Sequence, residues 1–278
     1  MPLTRAHHPN HTPGRVSGIE HQAQPRLRQS MNPVFQRARF LSAASGLDHA
    51  PPDQGAEVAF AGRSNAGKSS ALNALCHQKR LARTSKTPGR TQQLVFFRLE
   101  DDDHRLVDLP GYGFAKVSVA IKTGWQQLMA NYLAERQSLK GLVVLTDIRH
   151  PLTDIDRQML AWGQTAELPL LILLTKADKL KRGAVERSLQ QARGALSDLP
   201  GGSKLIAFSA TAPRGVDIAQ RWILDRLRLP TQPLPHKGLD MLGLDGLTER
   251  RAAGAQDGHS APQRSDIPSR LSKNDPID

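Results

Sequence analysis

Gly62-Arg63-Ser64-Asn65-Ala66-Gly67-Lys68-Ser69 fills the pattern G-x-x-x-x-G-K-[ST]. Ahead of it runs Val58-Ala59-Phe60-Ala61, short and apolar as a strand is. Behind it, Ser70-Ala71-Leu72-Asn73-Ala74-Leu75 reads as a helix. A strand, a glycine-rich turn and a helix start make a phosphate cradle. The turn's backbone N–H groups converge on phosphate oxygens, and the helix N-terminus adds positive dipole. Gly62 and Gly67 carry no Cβ and permit close backbone approach. In such a loop Lys68 reaches the β- and γ-phosphates and the Ser69 hydroxyl binds Mg²⁺. With both flanking elements in place, a chance glycine-rich turn is the weaker alternative. The loop alone separates neither ATP from GTP nor a kinase from a switch.

Outward from this loop, strands and helices alternate. Residues 94–99 read as a strand, 100–103 as an acidic turn and 105–108 as the returning strand, so that pair is antiparallel. Residues 121–139 carry Trp125, Leu128, Met129, Tyr132 and Leu133 on one helical face. Residues 141–146 and 170–174 are continuous apolar runs, the mark of strands buried on both faces. Helices are expected over 154–165, 184–196 and 216–227, with a strand over 204–208. Short apolar strands alternating with helices specify a three-layer α/β domain, and the right-handed crossover rule leaves few ways to wind it.

The chain has 278 residues and a formal net charge of +12. That length suits one substantial domain with tails, or two small domains. Residues 1–31 are rich in Pro, His, Arg and Gln and read as a disordered basic extension. Its histidines, His7, His8, His11 and His21, have no cysteine or acidic partner arranged with them and read as solvated. Residues 32–229 form the expected domain, in which Val34, Phe35, Phe40 and Leu41 can dock on a core. From 230 to 278 the pattern stops, as in a disordered tail. No apolar run is long enough to cross a bilayer, and the first residues show no secretory pattern. The single cysteine, Cys76, excludes an intrachain disulfide and fits a reducing, cytoplasmic compartment. The basic balance suits a polyanionic partner, though solubility alone would also account for it.

Three further motifs address the nucleotide. Asp108-Leu109-Pro110-Gly111 ends a strand; its carboxylate can hold Mg²⁺ through a water. The Gly111 N–H can bond a γ-phosphate, and that bond lasts only as long as the phosphate does. Thr175-Lys176-Ala177-Asp178 follows the second buried strand. Asp178 can accept from both N1–H and the 2-amino group of guanine, and adenine offers neither donor. The Lys176 stem can cover the base plane. Ser209-Ala210-Thr211 follows the last strand and would add a backbone N–H to the guanine O6, with Phe208, Ser209 and Ala210 counted among the nucleotide-binding residues. The basic loop 77–93 must supply a threonine for Mg²⁺ and the γ-phosphate, and Thr84, Thr87 and Thr91 are equal candidates on chemistry alone.

These segments, with Ser85-Lys86-Thr87-Pro88-Gly89-Arg90-Thr91-Gln92 and Asp147-Ile148-Arg149-His150-Pro151, closely resemble the EngB (YihA/YsxC) family of bacterial GTPases, of the TrmE-Era-EngA-like class. The Thr-Pro-Gly-Arg-Thr and Arg-His-Pro segments are specific to that group. The resemblance covers residues 33–229. It implies a Ras-like fold with a mixed, mostly parallel six-stranded sheet and helices on both faces. It also implies GTP hydrolysis, a role in assembling the large ribosomal subunit or its precursor, and a requirement in cell division and septation. The partner would be rRNA and ribosomal protein, and the chain a cytoplasmic monomer without membrane insertion. By position in the family pattern, Thr91 joins Ser69 and Asp108 on Mg²⁺. Gly89, Arg90, Gln92 and Gln93 lie beside the nucleotide, and Lys68, Thr91 and Gly111 act in catalysis.

Two departures from the general GTPase pattern stand out. Tyr112 follows Asp-Leu-Pro-Gly, where many GTPases carry a glutamine that orients the attacking water. Thr175 replaces the usual asparagine of the guanine motif. Both predict slow hydrolysis and modest affinity. Asn65 can place its side-chain oxygen on a K⁺ ion lying against the phosphates, as in related GTPases, or can simply bond the loop's own backbone. Two other function classes share the phosphate loop. A P-loop metabolic enzyme would make the Asp178 motif superfluous and shows no acceptor lid. A nucleotide-holding interaction module would not need Ser69 and Asp108.

Overall fold

The computed structural model describes residues 32–82, 93–113, 119–194, 196, 203–212 and 214–230. The expected extension 1–31, the tail from 231 and the loop 83–92 lie outside the described residues. A short helix α1 (Pro33–Gln36) and strand β1 (Arg39–Ala44) precede the phosphate loop's strand β2 (Ala56–Gly62). Then follow α2 (Lys68–Leu75), β3 (Leu94–Arg98), β4 (His104–Asp108), α3 (Val119–Glu135) and β5 (Leu139–Asp147). The domain closes with α4 (Asp154–Thr165), β6 (Leu170–Thr175), α5 (Arg182–Gly194), β7 (Lys204–Ala207) and α6 (Val216–Arg226).

The sheet runs β1-β3-β4-β2-β5-β6-β7. β2, β4, β5, β6 and β7 are parallel, while β3 is antiparallel to both β4 and β1. The sheet therefore has seven strands where six were expected. The extra strand, β1, is Arg-Phe-Leu-Ser-Ala-Ala, without the β-branched alternation that marks a strand in sequence. It forms because β3 offers an open edge, and its register slips between Phe40 and Ser42. Phe40 lies there 61% exposed, so it does not dock on the core as expected, whereas Val34 and Phe35 are buried.

Successive β2 residues face opposite sides, as the pleat requires. Ala59 and Ala61 join Trp125, Met129 and Tyr132 of α3, Met159 and Leu160 of α4, and Val185 and Leu189 of α5. Val58 and Phe60 join Leu72 and Leu75 of α2 and Trp222 and Ile223 of α6. Helices thus cover both faces, and β2 and β6 are buried at every residue while the edge strand β1 is largely open to solvent. α3 stops at Glu135, four residues before the expected end, and Leu139 opens β5 instead. The Asp53 carboxylate takes the Gln137 and Ser138 N–H groups at 2.9 and 2.7 Å. Arg136 turns inward to Glu57, with Nη2–Oε1 at 2.8 Å. Those partners end the helix where its apolar periodicity would have carried it on.

The parallel strands leave their C-terminal ends side by side, with β2 flanked by β4 and β5. The crevice beyond such strand ends is where open α/β sheets bind ligands. Gly62, Asp108, Asp147, Thr175 and Ala207 end the five strands there.

Candidate nucleotide site

The phosphate loop leaves β2 at Gly62 and enters α2 at Lys68. Asn65 and Gly67 have φ of 65° and 92°, the left-handed region, and these two residues turn the chain. At Gly67 that conformation favours glycine. Gly62 needs its missing Cβ for a different reason from the one expected. A Cβ there would sit 3.1 Å from the Leu145 carbonyl oxygen and 3.2 Å from its Cβ, so glycine lets β2 and β5 meet. α2 begins without a side-chain cap, which leaves its N-terminal amides to a ligand.

The structure brings Lys68 and Asp108 together as an ion pair, with side chains only 12% and 14% exposed. Ser69, next to Lys68 in sequence, sits in the first turn of α2. The segment after β4 is tied to the loop by a short parallel bridge of Arg63 with Tyr112. Ser64 N–H donates to the Tyr112 carbonyl at 2.9 Å, and Tyr112 N–H to the Gly62 carbonyl at 3.4 Å. Gly111 lies between this bridge and Asp108. Leu109 and Pro110 are buried, and Leu109 packs into the core, leaving only its backbone to the site.

Tyr112 points away from the crevice. Its ring is 4% exposed, and its hydroxyl donates to Asp156 Oδ1 at 3.2 Å. Asp156 Oδ2 accepts from Thr146 Oγ1 at 3.0 Å and from Thr153 Oγ1 at 2.8 Å. Burial, then the Asp156 charge, push the Tyr112 phenol well above its ordinary range. Its side chain anchors the segment and cannot take part in orienting water.

The guanine motif grips the phosphate loop at two successive carbonyls. Thr175 Oγ1 donates to the Ala66 carbonyl at 2.7 Å, and Lys176 Nζ to the Asn65 carbonyl at 2.7 Å. Thr175 thus does structural work that an asparagine is not needed for. Lys176 is left-handed, φ 59°. Its ammonium also meets Asp147 Oδ2 at 2.9 Å. Asp147 in turn accepts the Arg149 fork, Nε at 2.9 Å and Nη2 at 2.7 Å. Arg149 first, then Lys176, hold the Asp147 carboxyl well below the usual range. In the sequence Asp147 and Arg149 stand only as part of a family signature; the one local signal is an acidic residue ending a buried strand with an arginine two residues on.

Ala177 N–H donates to the Phe208 carbonyl at 3.1 Å, joining the guanine motif to the loop after β7. The side chains of Ala177 and Phe208 are buried, so both serve through their backbone. Ser209 Oγ donates to Asp178 Oδ1 at 2.7 Å and receives the Ala212 N–H at 3.1 Å. The Ser209 hydroxyl, chiefly, holds the Asp178 carboxyl below its ordinary range, so it is ionised at neutral pH. Ala210 follows, half-buried, and Gln93 is exposed just before β3. Gly89, Arg90, Thr91 and Gln92 lie outside the described residues.

Comparison with known proteins gives this geometry a family. The family model described as "50S ribosome-binding GTPase" matches residues 57–176. A "Probable GTP-binding protein EngB" of Enterobacter sp. (strain 638) is 52% identical over 187 residues, 67% of this chain and 89% of the relative. The protein so described in Edwardsiella ictaluri is 55% identical over 190 residues, 68% of this chain and 86% of the relative. The fold matches the crystal structure of a probable GTP-binding protein engB, with TM-score 0.51 and 20% identity, over 62% of this chain and 99% of that one. An Era structure from Aquifex aeolicus matches with TM-score 0.51 and 18% identity, over 65% of this chain and 58% of that one. With more than half its aligned residues shared and nearly the full length of these relatives spanned, the chain belongs to the EngB family.

Proposed function

We propose that this member of a GTPase family is a switch that binds GTP with Mg²⁺ and hydrolyses it to GDP and phosphate. In its GTP form it associates with the large ribosomal subunit or its precursor, and through that assembly step it supports division and septation. The observation that carries the nucleotide reading is the placing of two side chains of the guanine motif, Asp178 on Ser209 and Lys176 on the phosphate loop. Asp178 stands ionised and held by Ser209, beside a lysine stem fixed at both ends. A carboxylate in that place takes the two donors of guanine and would be left unpaired against adenine.

The donor set fits Mg²⁺. Ser69 and Asp108 offer hard oxygens and, among the described residues, no group of three His, Cys, Asp or Glu is gathered to hold a metal alone. Mg²⁺ is typically held by one or two protein oxygens together with substrate phosphates and water. When bound it neutralises charge developing on the β- and γ-phosphates. Lys68 binds those same oxygens, and the amides of the loop and of α2 cradle them. Gly111, next to the bridge at Tyr112, offers an N–H that reports whether the γ-phosphate is there. Thr91 is the third metal oxygen of this reading. Tyr112 is turned inward, so hydrolysis has no glutamine-like side chain at that position and is slow. Asn65 is exposed on the loop, where its side-chain oxygen can meet a K⁺ ion against the phosphates. Among the described residues no helix is long and apolar enough to cross a membrane.

Competition binding in Mg²⁺ tests the nucleotide reading: GTP and GDP should displace a guanine probe, and ATP should not. Sedimentation with purified subunits tests the partner. The chain should travel with large subunits in a non-hydrolysable GTP analogue and stay behind in GDP. Equal co-sedimentation in both would sink the switch.

A further inference from the structure

β5 and β6 run parallel, and their register sets Asp147 opposite Thr175 at the C-terminal edge of the sheet. The ladder extends one step further, since Ile148 N–H donates to the Thr175 carbonyl at 3.0 Å. The residue after Thr175 is Lys176, so the Asp147 carboxylate stands beside that lysine by construction of the sheet. The contact is completed from both sides. Lys176 Nζ lies 2.9 Å from Asp147 Oδ2. Arg149 closes a two-residue loop back onto the same carboxylate, through its backbone N–H at 3.0 Å and both arms of its fork.

Lys176 therefore has two anchors, and they differ in kind. The Asn65 carbonyl, 2.7 Å away, ties the ammonium to the phosphate loop. Asp147 ties it to β5 and supplies the opposite charge. A lysine stem has four rotatable carbons and loses much rotamer freedom when fixed. Its backbone at φ 59° is also one that L side chains rarely adopt. The Asn65 carbonyl offers the ammonium only a dipole, whereas Asp147 offers it a full opposite charge at 2.9 Å, so the carboxylate is the stronger hold.

We propose that Asp147 is a positioning residue for nucleotide binding: steadied by Arg149, it holds the Lys176 stem straight against the phosphate loop, so that the stem forms one wall of the purine slot. The proposal rests on the guanine-nucleotide reading above. The wall is apolar methylene and touches the face of the purine, so it is indifferent to the groups on the base edge. Asp178 reads that edge. The two carboxylates thus have separable jobs, one fixing how long any purine stays and the other which purine is preferred.

Dissociation rates of GDP and IDP, measured by stopped-flow on the full chain, separate these jobs. IDP has hypoxanthine, which lacks the 2-amino donor. Asp147→Asn should release both nucleotides about tenfold faster while leaving their ratio at the parental value. Asp178→Asn should instead collapse the ratio. The side chains of Lys176 and Asp147 are 31% and 18% exposed, so the pair is partly screened by salt. Parental GDP release should quicken as NaCl is raised, and Asp147→Asn should flatten that slope. A loss of fold would lower the fraction of binding-competent chain without altering the salt slope of the remainder. Arg149→Ala, at an exposed position, should speed both releases two- to threefold with the ratio unchanged, and it carries the test if Asp147→Asn does not fold. Parental rates and salt slope in Asp147→Asn would overturn the proposal, as would a changed GDP-to-IDP ratio. If the parent held neither nucleotide, the guanine reading itself would fall, and this inference with it.

Discussion

Asp178 sets the scale at which single residues matter. Its carboxylate has one oxygen committed to Ser209 Oγ at 2.7 Å and a looser contact with Lys179 Nζ at 3.4 Å. Asp178→Asn presents a donor and an acceptor to two guanine donors, and loses the charge. A charge-assisted bond contributes about 1.5–3 kcal/mol, so GTP and GDP should bind roughly ten- to hundredfold more weakly, as titration calorimetry would show. Asn65 supports a second expectation. If its oxygen ligates K⁺ against the phosphates, replacing K⁺ with Na⁺ at constant ionic strength should slow GTP turnover. Asn65→Ala should erase the difference, and equal parental rates in both salts would remove the idea. The motif residues were legible because phosphate and base recognition admit few residue types at fixed spacing. Tyr112 was not. Only the packing of α4 under the loop shows that Asp156 draws its hydroxyl inward. Asp147 was hidden for the same reason, since its partner Lys176 is a sheet neighbour and distant in sequence.

Among elements, the buried strands β5 and β6 and the hairpin β3–β4 could be read directly, from apolar runs and from an acidic turn. β1 could not, because six residues with two alanines and a serine carry no strand pattern until β3 stands beside them. The end of α3 was misplaced for a related reason: a charged node at the far end of the sheet overrides its periodicity. There Glu57, 0% exposed, accepts Arg105 Nε at 2.7 Å, Arg136 Nη2 at 2.8 Å and the Tyr132 hydroxyl at 2.7 Å. The node joins the starts of β2 and β4 to the end of α3. Removing one partner of a buried ion pair strands the other charge, which typically costs about 3–5 kcal/mol. Glu57→Gln removes the one carboxylate the two guanidiniums share, leaving Arg105 with backbone carbonyls and Arg136 with Asp53 at 3.5 Å, so urea unfolding should show a loss of about that size. A cost under about 1 kcal/mol would mean that water reaches the node in solution.

For the molecule as a whole, the two ends of the sheet share one device. The sequence holds two tyrosines, and each is buried with its hydroxyl on a carboxylate. Tyr112 meets Asp156 at the nucleotide end and Tyr132 meets Glu57 at the other. Burial, and next the neighbouring carboxylate, raise both phenols well above their ordinary value of about 10. In the unfolded chain both phenols titrate near that ordinary value. Above about pH 10 the unfolded state has therefore released two protons that the folded state retains, and stability falls as pH rises. Below about pH 10 both states are protonated and these groups give no pH dependence. Each phenol adds at most about 1.4 kcal/mol per pH unit to the slope, so the pair adds about 2.7. Urea unfolding between pH 8 and 11 should show little tyrosine-linked change up to pH 9.5 and a steep decline beyond it. Lysines titrate in the same range, so the comparison that isolates the phenols is with Tyr112→Phe and Tyr132→Phe combined. That variant starts less stable at pH 8, having lost two hydrogen bonds worth about 1 kcal/mol each, and its decline should be shallower by the phenol share. Parallel curves for parent and variant would show that both phenols ionise as freely in the folded molecule as in the unfolded chain.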